Sequence, residues 1–493
     1  MFYIQTMELV STMYPSQKKI PTNYQSYITL IQKGNLQEAE SALLLAISEA
    51  PIDAQLWVML GETLLLQQET TSAQRVLERA WLLDPQAQWV QSMFEGIRQM
   101  PATPVLPHIT RLLQVPKVTV AAGILTYNES ANIAKCIAAL QGAVDEILVI
   151  DSSTDDTAQI AAQFPKVKVI RITWTEDFAA ARNIGLEHIQ SDWVLWVDAD
   201  ETLLPADVPA VREAAGIFHN MPVPAALHVW HWNRVNGAVR HDFSQVRMFP
   251  AKRGLRYYGR IHEQVGTAAG VFQDDTYRRA VRIRLDHNGY EPSVVQSRGK
   301  LERNLRLLAQ MVHDEPDNPG HLLFLGRELL AAGREEEALT VLLEAERMAR
   351  QTPLFGRLPE VYRLLVQIKL KRKQADEAEA YCRLLIADSP DFPDGHYLLA
   401  QIKMQQANAL MQEAEKELKQ ALQVLPQYRG SVSPDYQIAE WKAAAALGEI
   451  AHRSGKLAKA KEVWSKVRQV PGSSERVRRK LDEIETERQK LNS

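Results

Sequence analysis

The chain has 493 residues, which at about 100 to 200 residues per domain implies roughly two to four domains with length enough for true cores. Apolar residues make up 46% and charged residues 24%, and the 23 Gly and 24 Pro are too few for a collagen-like or low-complexity chain. With 57 Lys and Arg against 60 Asp and Glu, the net charge of −3 provides no global basic field, which argues against nucleic acid as the main partner. Two cysteines, Cys136 and Cys382, exclude a disulfide framework and a Cys-rich zinc site and fit a reducing compartment. No run approaches the ~18 to 20 apolar residues of a membrane-spanning helix, and Met1 to Pro21 lacks the layout of a signal peptide. The expected location is cytoplasmic.

Residues 1–21 read as a tail. From 22 to 100 the chain repeats itself: Ala39, Leu43, Ala46 and Pro51 return at one constant offset as Ala73, Leu77, Ala80 and Pro85. That offset is the tetratricopeptide period, and it predicts stacked helical hairpins. Trp57, Leu60, Gly61 and Leu64 supply the large and small residues that let one helix seat closely on another. Prolines crowd residues 101–117, which reads as a linker.

The period then changes. Val118 to Leu125, Glu146 to Ile150, Val167 to Ile172 and Trp193 to Val197 are short β-prone runs, separated by helical stretches at Asn132 to Gln141, Thr157 to Phe164 and Phe178 to Ile189. Alternation of this kind predicts a parallel, doubly wound sheet over 118–290, with ligands at the carboxyl ends of its strands. A connecting helix is expected over 291–318. The repeat resumes in 319–493, with copies marked by Gly326, Ala338 and Leu342, by Ala378, Cys382 and Leu385, by Ala414, Leu418 and Ala421, and by Gly448, Ala460 and Trp464. A polar run from Ser473 to Ser493 suits a capping helix.

The strand ends carry the chemistry. Thr126-Tyr127-Asn128-Glu129 follows the first run, and Asp151-Ser152-Ser153-Thr154-Asp155-Asp156-Thr157, which could equally cap a helix, follows the second. Asp198-Ala199-Asp200-Glu201 follows the fourth. Carboxylates set this close repel one another unless a cation or donors compensate, and a hard divalent ion such as Mg²⁺ or Mn²⁺ is the economical explanation; a cap or turn is the alternative.

Together these motifs, with Asp177-Phe178-Ala179-Ala180-Ala181-Arg182-Asn183, resemble the nucleotide-sugar-binding half of a family 2 glycosyltransferase. The flanking repeats resemble the tetratricopeptide family. Tyr258-Gly259-Arg260-Ile261-His262-Glu263, His287-Asn288-Gly289-Tyr290 and Lys300 to Leu308 look like the repeat-bearing branch that includes SunS-like peptide glycosyltransferases and lipopolysaccharide-core transferases. One departure is that the common Asp-Ser-Gly-Ser-Thr-Asp loop lacks its glycine here and is one residue shorter.

The resemblance implies an α/β GT-A domain, Rossmann-like, between all-α tetratricopeptide domains. It implies a metal-dependent inverting transferase moving a sugar from a UDP-sugar donor to a protein, peptide or glycan acceptor, with the repeats recruiting acceptor or partner. Thr126, Tyr127, Glu129, Asp151 and Ser152 would line the donor pocket, with Arg182 and Asn183 near ribose and diphosphate and Asp198 on the ribose or sugar side. Asp200 would be the principal ligand of Mn²⁺ or Mg²⁺, and His262 could join it. An inverting displacement needs one base. Glu263 is the first choice, an ion pair with Arg247 or Arg260 being its alternative role, and Asp242 is the rival. A rival for the whole chain is a non-catalytic scaffold whose central domain has lost activity. A sugar nucleotidyltransferase is disfavoured, because the first strand is followed by neither a Gly-rich loop nor a basic residue.

Overall fold

Helix A of each N-terminal repeat ends where its backbone turns left-handed. Gly34, with φ 76°, separates Tyr24–Gln32 from Leu36–Glu49, and Gln68, one period on with φ 65°, separates Ala54–Leu66 from Thr70–Leu83. The Asp53 side chain caps the third helix by accepting from Gln55 N at 3.0 Å. Gly61 is required by contact rather than by φ, since a Cβ there would meet fully buried Leu77 at 2.5 Å. The computed structural model describes residues 24–235, 237–287, 294–352, 354–427, 434–470, 479–483 and 486, divided into two units that meet in sequence at 356/357. The expected tail at 1–21 lies outside the described residues, as does most of the expected capping helix. No helix of the described residues is long and apolar enough to cross a membrane.

The segment expected as a linker is packed instead. Pro107 opens a helix, Pro107–Leu112, in which Ile109 is fully buried. His108 Nε2 lies 2.6 Å from Glu40 Oε1, and Leu106 N donates to Ser72 Oγ at 2.9 Å. The prolines start and shape an element that is laced onto the repeats.

The sheet is built from β1 (Val120–Thr126), β2 (Glu146–Asp151), β3 (Val167–Arg171), β4 (Trp193–Asp198), β5 (Glu201–Leu203), β6 (Ala225–Val235), β7 (Ala238–Asp242), β8 (Val246–Pro250) and β11 (Tyr277–His287). A separate ribbon pairs β9 (Arg256–Tyr258) with β10 (Gln264–Gly266). Strands β3, β2, β1 and β4 are parallel neighbours, as the βα alternation predicts. Their registers, Thr126↔Asp151 and Leu125↔Asp198, bring the polar strand ends level. Beyond β4 the sheet becomes mixed: β8 runs antiparallel to β4 and β6, β11 parallel to β6, and β5 antiparallel to β11. Trp196 anchors helix Phe178–His188 to the sheet, because Gly123 and Gly185 both leave room that a Cβ would close to 2.8 Å of the indole.

The N-terminal repeats share one core with the sheet. Arg279 donates to the carbonyls of Ile52 at 2.6 Å and Leu83 at 2.9 Å, and the Arg282 and Arg284 guanidinium carbons lie 4.3 and 5.1 Å from the Trp81 ring. Arg279 thus holds the repeats directly, while Arg284 lies against Trp81 and also donates to both oxygens of Asp207 at 2.7 Å.

The hairpin Pro319–Ala331 and Glu335–Ala349 also belongs to the first unit, so the expected domain boundary at 318/319 falls inside it. Phe324 packs with Ile261, Leu308 and Met311, and Phe355 meets Phe272 edge-on at 5.3 Å. The helix before it, expected as a connection, is Val294–Asp314. The second unit contains Leu358–Lys371 with Ala375–Asp388, then Pro393–Val424, then Ala443–Arg453 with Leu457–Val467. Ala414, Leu418 and Ala421, expected in a hairpin of their own, lie instead in the second half of one 32-residue helix.

Candidate active site

Two polar corners form where the strands end. In the first, the fully buried Asp151 accepts from Thr126 Oγ1 at 2.7 Å and Ser153 Oγ at 2.5 Å on Oδ1, and pairs with Arg171 on Oδ2. Arg171 also donates to Ser153 O at 2.7 Å. The loop after β1 is sewn to the loop after β2: Asn128 N donates to Ser153 Oγ at 2.8 Å, Thr154 N donates to Asn128 Oδ1 at 2.9 Å, and Glu129 N donates to Thr157 Oγ1 at 2.8 Å. Ser152 turns back on Thr126 O. The capping reading of this loop holds for Asp155, which accepts from Thr157 N at 3.1 Å. Tyr127 is 62% exposed at the mouth. Burial raises the pKa of Glu129, opposed by its hydrogen bond from Asn132 and reinforced by the charge of Asp200.

The second corner is an arginine clamp. Asp177 caps helix Phe178–His188 by accepting from Ala180 N at 2.8 Å, and one turn later the helix delivers Arg182. That guanidinium lies 5.1 Å from the Trp196 ring and 5.4 Å from the Tyr257 ring. Its Nη2 donates to Asp198 Oδ1 and its Nε to Glu263 Oε1, both at 2.8 Å. Arg247, from β8, closes on Asp198 from the other side at 2.9 and 2.5 Å, a bidentate geometry. Loss of solvent would raise the Asp198 pKa, but Arg247 and Arg182 more than offset it and hold the carboxyl well below the usual range. Buried Glu201 accepts from Asp198 N at 2.9 Å and lies 3.3 Å from His231 Nε2.

Asp200 stands outside the clamp. Its one partner among the described residues is His287, at the end of β11, with Nε2 at 3.1 Å from Oδ2. The other ring nitrogen of His287 lies 3.0 Å from Asn233 Oδ1, which fixes the ring. The His287 pKa is raised, chiefly by the hydrogen bond to Asp200.

Several sequence-based roles change. His262 does not approach Asp200; its backbone is left-handed, φ 51°, and its Nε2 lies 3.4 Å from Glu328 Oε1 and 3.3 Å from Arg327 Nη2, with the ring 4.8 Å from Phe324. Neighbouring Glu263 faces the other way, so the turn splits the pair. Asn183 is tied to β9, donating to Tyr257 O and accepting from Tyr257 N, each at 2.9 Å, and is not free for a diphosphate. Asp242 spends both oxygens on Ser244, N at 2.8 Å and Oγ at 3.1 Å, as the cap of its own turn. Glu263 has the arginine ion pair, but with Arg182. Arg247, expected with Arg260 as the partner of Glu263, closes instead on Asp198, and His287 had no role of its own. The signal for His287 was present, as the first residue of His287-Asn288-Gly289-Tyr290; Asn288, Gly289 and Tyr290 lie outside the described residues.

Residues 122–276, spanning the four parallel strands and both corners, match the family model described as Glycosyl transferase family 2. The central domain is a family 2 glycosyltransferase domain. Residues 30–93 match the tetratricopeptide repeat model. The SPbeta prophage-derived glycosyltransferase SunS of Bacillus subtilis is 28% identical over 287 residues, covering 58% of this chain and 66% of that protein, just under two thirds of its length. A TPR repeat-containing protein of Synechococcus elongatus is 25% identical over 259 residues, 51% of this chain and 62% of that one. A crystal structure of S. aureus TarS 1-349 in complex with UDP-GlcNAc covers 58% of this chain and 92% of that chain, at 12% identity and a TM-score of 0.33.

For a family 2 domain the metal question turns on donors. Among the described residues no group of three or more His, Cys, Asp or Glu side chains is gathered as a cage. Asp198 is saturated by guanidinium, which leaves Asp200 and His287. A carboxylate and an imidazole fit a hard divalent cation that takes its remaining ligands from phosphate oxygens and water.

Proposed function

We propose that the chain is a metal-dependent inverting glycosyltransferase that moves a sugar from a UDP-sugar to a protein, peptide or glycan acceptor recruited by the repeats. The observation that carries this reading is the contrast at the end of β4: Asp198 locked by Arg182 and Arg247, and Asp200, two residues on, held outward beside His287. Asp200 and His287 are the residues that would hold Mn²⁺ or Mg²⁺. A bound ion would supply charge neutralisation at the departing diphosphate.

The chain's own groups account for the rest. The mouth beside Tyr127 and Glu129 receives the nucleoside, with Thr126, Ser152 and Asp151 as the rigid floor. Glu263 takes the acceptor's proton as the acceptor attacks the anomeric carbon and the bond to the diphosphate oxygen breaks. Its Oε1 is held by Arg182, which orients the carboxylate and leaves Oε2 for that proton. The localisation proposed is the cytoplasm, where nucleotide sugars are at hand.

Calorimetry of UDP and a panel of nucleotide sugars, with and without Mn²⁺, tests the reading on the wild type and on Asp200→Ala. Metal-dependent UDP binding that the substitution abolishes is expected. Failure of folded wild-type protein to bind any of them would leave the scaffold as the better account.

A further inference from the structure

The packed face of helix Val294–Asp314 changes character along its length. Its later turns bury Leu307, Leu308 and Met311 against Ile261 and Phe324. One turn earlier the same face presents Arg303 and Asn304, and one turn before that Gly299 and Lys300. The face stops being apolar where it passes the first turn of helix Phe178–His188, with the Arg303 guanidinium carbon 5.8 Å from the Phe178 ring. Trp174 braces that ring edge-on at 4.8 Å. Phe178 precedes Arg182 by one turn, about 6 Å along the helix axis, which puts Arg303 beside the clamp.

Arg303 differs from the arginines around it in what it meets. Arg182 and Arg247 close on Asp198, Arg306 is bidentate on Glu176, and Arg260 lies 3.6 Å from Asp314. Arg303 has no ion pair among the described residues; its one hydrogen bond runs from Nη2 to Asn304 Oδ1 at 3.1 Å, and its Nε is buried with no partner. Buried polar groups in stable folds find partners, and a charged one left without them is costly. Seated over Phe178, the guanidinium keeps a fixed plane whose edge fits two oxygens of one anion. Lys300 is exposed and also without an ion pair among the described residues, and a Cβ on Gly299 would meet nothing within 4 Å, so the face is open there.

The wiring of the site says which substrate brings the anion. Asn304 hydrogen-bonds Glu328, whose Oε1 lies 3.4 Å from Nε2 of His262, the residue before Glu263. Lys300 and Arg303 therefore stand on the side of the candidate base, whereas the donor diphosphate is assigned above to Asp200 and His287. We infer, on the basis of that transferase reading, that Lys300 and Arg303 recognise a phosphoryl group on the acceptor and so hold the acceptor beside Glu263. Two cations match the double charge of such a group better than the single charge of a carboxylate.

Two calorimetric titrations of the full chain separate this site from the reading it rests on. UDP with Mg²⁺ reports the donor site, and its failure to bind would overturn the transferase reading. Inorganic phosphate, titrated with UDP and Mg²⁺ present, reports the anion site. Phosphate is expected to bind about 10-fold more weakly to Arg303→Gln and about 3-fold more weakly to Lys300→Gln than to the wild type. UDP affinity and helical circular dichroism should be unchanged in both. Arg306→Gln, on the same helix but engaged with Glu176, should bind phosphate as the wild type does. Phosphate that UDP displaces would assign the two cations to the donor. Phosphate that fails to bind the wild type at millimolar concentrations, or binds all three variants equally, would leave the pair as a solvated face. Either result overturns the inference.

Discussion

The two corners of the sheet handle charge in opposite ways. At Asp151 every oxygen is used within the fold, by Thr126, Ser153 and Arg171, and the neighbouring loops are stitched to one another. At Asp198 two guanidiniums converge on one carboxylate, while Asp200 meets His287 alone among the described residues. The first corner is a knot and the second a braced support for groups that face outward. Position at a strand end alone therefore does not separate a structural carboxylate from a candidate ligand; the partners it meets do. This difference predicts that substitutions at the knot cost stability, while substitutions at the clamp cost stability and chemistry together.

The largest effect is expected from Arg182→Met. Arg182 is buried and bridges Asp198 to Glu263, so its removal leaves the two carboxylates without their shared cation. Breaking one side of a buried ion network costs about 3 to 5 kcal/mol. Chemical denaturation should show that loss, and transfer activity should vanish even where the variant is still folded. A variant that unfolds easily yet turns over normally would detach Arg182 from the chemistry and leave it as a structural brace.

A smaller effect on stability is expected at the knot. Asp151→Ala strands the hydroxyls of Thr126 and Ser153, at about 2 kcal/mol for a buried polar pair that loses its acceptor. Arg171→Gln should cost less than about 1 kcal/mol, because the Arg171 side chain is 58% exposed and water replaces most of what it gives. Equal losses from the two would mean that the ion pair, not the hydroxyl cluster, holds the corner.

The sequence made one corner far more legible than the other. The strands β1 to β4 announce themselves as short apolar runs, each closed by its polar loop, so Asp151, Asp198 and Asp200 could be placed at the carboxyl edge from local pattern alone. Arg247 could not, because β8 enters between β4 and β6 by antiparallel pairing, far along the chain from Asp198. A mixed sheet has no local signature for that insertion. His287 depends on the same tertiary step, β11 lying parallel to β6. His262 erred the other way, since adjacency to Glu263 suggested a shared site, while a left-handed turn sends the two side chains apart. The repeats were readable as hairpins from their period, but the period does not say whether a turn closes, and residues 393–424 are where it does not.

A pH titration sharpens the comparison further, because the clamp side carries a histidine whose charged form is disfavoured in the fold. His228, on β6, lies opposite Val246, the residue before Arg247, and its Nδ1 is 2.9 Å from Phe243 O in the turn that feeds β8. Burial, aided by the nearby charge of Arg278, lowers its pKa from 6.5 to about 4. The unfolded chain therefore binds a proton at higher pH than the folded one does. Stability from this group is complete above pH 6.5, falls as pH drops from 6.5 towards 4, and is constant below that. A shift of this size corresponds to on the order of 3 kcal/mol at most, and less because the side chain keeps some solvent contact. Urea midpoints measured from pH 7.5 to 4 should decline in wild type and decline less in His228→Gln, while Arg171→Gln should follow the wild-type slope. If the two variants trace the same curve, the proton responsible sits elsewhere, and the turn that delivers Arg247 to Asp198 is not the acid-sensitive element.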